Sequence, residues 1–293
     1  MKKSIVVGVN DSGSSEAAVE WAMKRAARLK SPVVLVHAVD DRWSSEAPEF
    51  HNLLSKAGHA LVARAQARAL ELEPGVHVEA MMMWGSPGYV LKRQSKRAEM
   101  MVVGSGSSWP RGPVTDRALQ VAAAAACPVA VIAGAKDDGG AAAASGTGVL
   151  VGVDGSEESV QAVAFAAAEA DRMGQELTVL HVFGAATRWV ERGIPESDLA
   201  KFIAEEEELI MGETVAGLAD KYPDLVVHRV LDSQHEPAVA LVAAAQHAAL
   251  LVLGSRGAGG FKRLMLGSTA HAVLTEVPCP TIITRLTKVK LSK

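Results

Sequence analysis

The sequence predicts an α/β protein built from two tandem Rossmann-like domains. Each would be an open five-stranded parallel sheet with helices on both faces. Three observations predict this: an internal repeat near half the chain length, short apolar runs alternating with alanine-rich amphipathic stretches, and glycine-rich turns directly after apolar runs. The repeat is visible residue by residue. Ile5-Val-Val-Gly-Val-Asn10 corresponds to Leu150-Val-Gly-Val-Asp154, and V-V-L-V-H-A-V at 33–39 corresponds to L-T-V-L-H-V-F at 177–183. Pro87 lies 17 residues before Gly104, and Pro237 lies 17 before Gly254. Each copy closes on a Cys-Pro pair and an apolar run, at Cys127 and Cys279.

The elements follow in order. In the first copy, Val/Ile/Leu runs near 4–9, 33–39, 76–83, 100–103 and 128–132 read as buried strands. Ser14 to Leu29 and Ser55 to Leu72 read as amphipathic helices. In the second copy, strands fall near 149–153, 177–183, 225–231, 250–253 and 281–284. Helices fall near 157–173, 197–221, 237–247 and 268–276. Residues 136–147, rich in Gly, Ala, Ser and Asp, suit a linker between domains spanning 1–135 and 148–293. Crossover helices between parallel strands imply a doubly wound sheet, and strand order 3-2-1-4-5 is the assumed arrangement.

Composition narrows the class. Nearly half of the residues are hydrophobic, enough for a large core, and a net charge of −3 implies no general attraction to nucleic acid. No run approaches the roughly 20 apolar residues of a membrane span. The opening run Ile5 to Val9 is too short for a signal sequence. The two cysteines occupy matching places in the copies, so two separate buried thiols are expected rather than one disulfide. These features suit a soluble cytoplasmic protein.

The most informative segment is Gly254-x2-Gly257-x9-Gly267-Ser268, directly after the run Leu250 to Leu253. Glycines permit positive φ and close backbone approach, and the amides opening the next helix attract an anion. Ser268 and Thr269 add hydroxyl donors. In a doubly wound sheet the ligand lies at the carboxyl ends of strands 1 and 4. There Asp154-Gly155-Ser156 would face this loop.

With Val-Gly-Val-Asp154-Gly-Ser, Leu-His-Val182, the complete glycine pattern and the Cys-Pro strand in place, the chain resembles the universal stress protein family over nearly its whole length. The long glycine spacing resembles the ATP-binding branch. The resemblance implies a nucleotide site in the C-terminal domain, built from Gly152, Val153, Asp154, Val182, Gly254, Arg256, Gly257, Gly267, Ser268 and Thr269. Asp154 would meet the ribose or phosphates, Val182 would offer backbone to adenine, and the glycines would line the phosphate path. The ligand implied is ATP, or ADP or AMP, with Mg²⁺ as an optional companion. Arg256, Lys262 and Arg263 are candidate phosphate partners, the alternative being solvated surface cations. The resemblance also implies pairing of the terminal strands, within the chain or in a homodimer.

The first copy departs from the pattern. Ser107 and Arg117 stand where the second and third glycines are expected, Asn10 replaces Asp154, Asp11 replaces Gly155 and Ala38 replaces Val182. Trp109, Pro110 and Pro113 would restrict its loop. Weak or absent ATP binding is expected there, and so asymmetric occupancy.

Other candidates have plainer readings. His37 and His181 suit strand-end or core histidines, His271 a helix surface, and Met81 to Met83 core packing. Glu205 to Glu208 suit a solvated face, and Asp40 and Asp41 a polar loop. No metal-ligand spacing stands out. Gly-x4-Gly-Lys-Ser/Thr is absent, as are Ser-Gly-Gly-x-Asp-Ser and His-Ile-Gly-His. Three functions remain open: a non-catalytic ATP-binding sensor, a slow Mg²⁺-dependent ATPase at the same site, and a scaffold that nucleotide only stabilises.

Overall fold

The structure, a computed structural model, describes residues 3–40, 48–106, 116–134, 146–183, 196–257 and 266–286. The chain divides into two compact units, Met1–Ala143 with Leu274–Ile282, and Ala144–Val273 with Ile283–Lys293. The expected linker lies almost wholly outside the described residues. Its last two are described: Thr147 N donates to His247 O at 3.0 Å, and Gly146 packs on the Ala248 carbonyl.

The first half contains β1 (Ile5–Gly8), α1 (Gly13–Leu29), β2 (Val33–Val39), α2 (Pro48–Leu72), β3 (Val78–Trp84), α3 (Pro87–Ser95), β4 (Met100–Gly104), α4 (Asp116–Ala124) and β5 (Val129–Ile132). Its strand order is β3-β2-β1-β4-β5, the predicted 3-2-1-4-5. All four pairings are parallel, with Ile5 opposite Val33 on one side and Met100 on the other. Helices α1 and α2 pack together on one face, and α3 and α4 together on the other.

The second half contains β6 (Val149–Val153), α5 (Glu157–Met173), β7 (Leu177–Val182), α6 (Glu196–Val215), α7 (Leu218–Lys221), β8 (Val227–Asp232), α8 (Pro237–Ala245), β9 (Leu250–Gly254), α9 (Ser268–Glu276) and β10 (Thr281–Thr284). Its order, β8-β7-β6-β9-β10, is the same topology. The central runs of β6 and β9 are buried because helices cover both faces of a parallel sheet. Helix α5 buries Ala162, Val163, Ala166, Ala167 and Ala170, the 3-4 spacing of one helical face. Alanine there lets the helix axis approach the strands closely.

Three expectations need correction. The stretch 197–221 is not one helix: Gly217 adopts φ 75°, which ends α6 and starts the short α7. Strands β3 and β8 are not fully buried. Each is the outermost strand of its half, and Val230 is 41% exposed. Met81 to Met83 on β3 are accordingly half-buried rather than core, and Met83 Sδ accepts a hydrogen bond from Gln94 Nε2 at 3.0 Å. Cys127 and Cys279 are both buried free thiols, as expected.

The first helix of each half starts on a serine cap. Ser12 and Ser156 hold extended backbone, and their side chains accept from the amides of Ser15 and Ser159. Such a cap contributes about 1 kcal/mol. The helix ends differ. Gly174 takes the left-handed position after α5 at φ 60°, whereas Lys30 takes it after α1 at φ 52°. A side chain in this region costs roughly 1–2 kcal/mol. Lys30→Gly should therefore raise unfolding stability by about 1 kcal/mol, read as a higher urea midpoint at constant m. An unchanged or lower midpoint refutes that reading.

Gly104, closing β4, allows Ser14 to pack directly on the strand end. A Cβ there would lie 2.6 Å from the Ser14 carbonyl carbon and 2.7 Å from its oxygen. Both are backbone atoms at the start of α1 and cannot rotate away. Gly104→Ala should destabilise the chain by about 2–3 kcal/mol in the same denaturation experiment. A shift under half that size would show that α1 can slide.

Candidate functional site

Parallel pairing of β6 with both β7 and β9 brings three strand ends to one side of the second half. After them the chain turns away, toward α5 from β6 and into the glycine-rich segment from β9. A cavity of about 470 Å³ opens among these ends. That volume falls within the usual range of about 300–1,000 Å³ for small-molecule sites.

All ten residues singled out from the sequence line this cavity. Gly152, Val153 and Asp154 come from the end of β6, and Val182 closes β7. Gly254, Arg256 and Gly257 come from the end of β9 and its turn. Gly267, Ser268 and Thr269 form the entry to α9. Residues 258–265, with Lys262 and Arg263, lie outside the described residues. The two ends of that segment are nonetheless tied, since Gly267 N donates to Ser255 O at 2.8 Å. Gly267 O accepts from His271 N at 2.9 Å, so Gly267 caps α9. The first-turn amides of such a helix lack intrahelical partners, which makes that end electropositive.

The glycines act through close approach. Positive φ occurs at Gly155 but not at Gly254, Gly257 or Gly267. A Cβ on Gly257 would overlap Asp154 Oδ2, so only glycine lets the turn lie against that carboxylate. A Cβ on Gly254 would fall 3.2 Å from Glu158 Cβ and 3.0 Å from Arg256 O. Asp154 is itself oriented: its Oδ1 accepts from Ser156 Oγ at 2.6 Å and Ser156 N at 3.2 Å. Arg256 forms an ion pair with Glu158 at 3.2 Å.

The lining also has an apolar part, made by Leu180, Leu241, Leu253, Leu266, Pro237 and Ala270. Sequence reasoning did not select these, because nothing separates a cavity-facing leucine from a core leucine by periodicity. Pro237 did carry a signal, as a landmark repeated at a fixed distance before each strand-end glycine. Glu158 gave none.

His181 is buried beneath the site. Its Nδ1 lies 2.8 Å from Val153 O and its Nε2 2.5 Å from Glu207 Oε2. Both partners accept, so either both ring nitrogens donate or the carboxyl carries the shared proton. His37 repeats only the first contact, 2.8 Å from Val9 O, with Gly58 close to its ring. Glu207 therefore belongs to a partly buried pair and not to a wholly solvated acidic face. His271 is exposed on α9, as expected for a surface histidine.

The first half is built differently at the matching place. Ser14 Oγ accepts from Gly106 N at 3.2 Å, and Gly106 adopts φ 86°. Asp11 is exposed and pairs with Arg64 at 3.1 Å. Arg117 is exposed on α4. Ser107, Trp109, Pro110 and Pro113 lie outside the described residues. Among the described residues, no group of three or more His, Cys, Asp or Glu is arranged to hold a metal ion. No described helix is long and apolar enough to cross a membrane.

Fold and geometry together define a class: a duplicated α/β chain whose second half opens a cavity at the switch between its first and fourth strands. A profile of the universal stress protein family matches residues 1–133 and again 147–285. Universal stress protein Rv2005c of Mycobacterium tuberculosis (strain ATCC 25618 / H37Rv) is 34% identical over 291 residues, covering 96% of each chain. A universal stress protein of Mycolicibacterium smegmatis is 33% identical over 296 residues, again covering 96% of each. The solved universal stress protein of Archaeoglobus fulgidus DSM 4304 shares the fold with a TM-score of 0.69. It is 18% identical and covers 98% of this chain and 97% of its own. The chain belongs to the universal stress protein family, as a tandem of two such domains.

The His181 arrangement yields a prediction. Glu207→Ala leaves a buried ring nitrogen without its partner and should cost about 1–3 kcal/mol of stability. Thermal or urea unfolding of the full chain measures it. A loss below about 0.5 kcal/mol, the usual spread of surface substitutions, would mean the pair adds nothing.

Proposed function

We propose that this protein is a non-catalytic adenine-nucleotide sensor whose C-terminal half binds ATP, ADP or AMP in the cavity at the ends of β6, β7 and β9. The single observation behind this reading is the meeting of ten residues from four separated chain segments around one cavity. Its lining carries both apolar and polar groups, as such a ligand requires. Its apolar side, from Leu180 to Leu241, suits a base, with Val182 at the strand end offering backbone polar groups. Its polar side combines Asp154, which suits a ribose hydroxyl, with the start of α9, which suits phosphate. Ser268 and Thr269 add hydroxyl donors there. A bound Mg²⁺ would neutralise phosphate charge; the chain's own part is to hold and orient the nucleotide.

As a sensor, the protein would respond only if nucleotide binds two conformational or assembly states unequally. Terminal-strand pairing, within the chain or between two copies, is the assembly we associate with that response. Mass measurement with and without ATP addresses it. A soluble cytoplasmic setting, where ATP is abundant, completes the reading.

The test is calorimetry on the full-length chain. One adenine nucleotide should bind per chain. Asp154→Ala should weaken ATP at least about tenfold, equivalent to roughly 1.4 kcal/mol. Asn10→Ala, at the matching place in the first half, should change nothing. No binding of ATP, ADP or AMP at millimolar concentration, or two equal sites, overturns the proposal. Phosphate release above background by wild type with Mg²⁺, lost in Asp154→Ala, would overturn the non-catalytic part alone.

A further inference from the structure

The cation that lines the cavity is already engaged. Arg256 is 42% exposed at the wall, and its guanidinium sits 3.2 Å from Glu158 Oε1. Glu158 is different in kind, because its side chain is only 16% exposed. It is the second residue of α5, where the helix end favours a carboxylate. Its Cβ packs beside Gly254, at the end of β9. Among the described residues, Asp154 on the wall and Glu158 behind Arg256 supply two carboxylates against the one guanidinium of Arg256.

An incoming phosphate therefore meets a neutralised arginine. Taking Arg256 away leaves a largely buried carboxylate without its counter-charge, which is costly. Sharing Arg256 divides one counter-charge between Glu158 and the phosphate, and the attraction so forfeited grows with every added negative charge. The duplicate half supplies the comparison. Ser14 follows the cap Ser12 just as Glu158 follows the cap Ser156. Each lies under the glycine that ends the fourth strand, Gly104 or Gly254. A neutral serine thus fills the same place in the same fold.

From this we infer that Glu158 is a specificity-determining residue, resting on the nucleotide reading of the cavity: it reserves Arg256 and sets a penalty that rises with phosphate charge. The ligand class so favoured is adenine nucleotide of low net charge, either a short phosphate chain or a longer one neutralised by a divalent cation. Glu158 acts through Arg256 and is a positioning residue, not a catalytic one.

The experiment is a charge ladder. Adenosine, AMP, ADP and ATP are titrated by calorimetry into the full-length chain in Mg²⁺-free buffer. Wild type, Glu158→Gln, Arg256→Gln and the double variant are compared. Glu158→Gln should leave adenosine unchanged and tighten binding progressively, by about tenfold for ATP. In the Arg256→Gln background the same change should gain less than about threefold, since no arginine remains to release. Should Glu158→Gln not fold, Glu158→Ser, the residue found at Ser14, gives the same readout. An equal effect on adenosine and ATP overturns the inference, as does weaker ATP binding or a full gain without Arg256. All three leave the nucleotide reading standing. Absence of binding by wild type to every member of the ladder overturns that reading, and this inference with it.

Discussion

A strand hydrogen-bonded on both sides to parallel neighbours sends all three carboxyl ends in one direction. That constraint governs the second half of this protein. Strand β6 lies between β7 and β9, and the helices that follow leave in different directions. The gap this opens is the cavity. Everything that faces it, from the Asp154 turn to the entry of α9, is held by pairing deeper in the sheet. Loops alone would not keep three strand ends in register.

The cavity walls then follow from small residues at close contacts. Gly152 admits Leu241 and Leu253: a Cβ there would come within 2.9 Å of one and 2.7 Å of the other. Gly257 lets the turn after β9 rest on Asp154, which is already held by Ser156. The bond from Gly267 to Ser255 closes the neck of the glycine-rich segment. The apolar and polar parts of the lining are thus products of one arrangement. The Glu158–Arg256 pair ties the turn after β9 to the start of α5.

Much of this was legible in the sequence. Apolar runs of four or five residues marked β1, β4, β5, β6 and β9, because buried parallel strands tolerate little else. The duplication made the second reading of each element independent of the first. The glycine spacing marked the site because glycine is needed where backbone meets a carboxylate. What escaped had local or long-range causes. The break at Gly217 depends on one left-handed residue inside a stretch that is otherwise helical in pattern. The half-exposure of β3 and β8 depends on their place in the sheet, which a strand's own sequence does not record. Leu241 and Glu207 look like ordinary core and surface residues until the chain folds around them.

His37 and His181 make the same 2.8 Å contact to a carbonyl at the end of the first strand of their half, Val9 just past β1 and Val153 closing β6. This shared brace lies behind the cavity wall and not on it. The two copies have therefore drifted apart on a scaffold whose joints stayed alike. Residues facing the strand ends can therefore be exchanged between the copies without disturbing the framework that positions them. Duplication has set two differently built strand-end surfaces on equivalent supports.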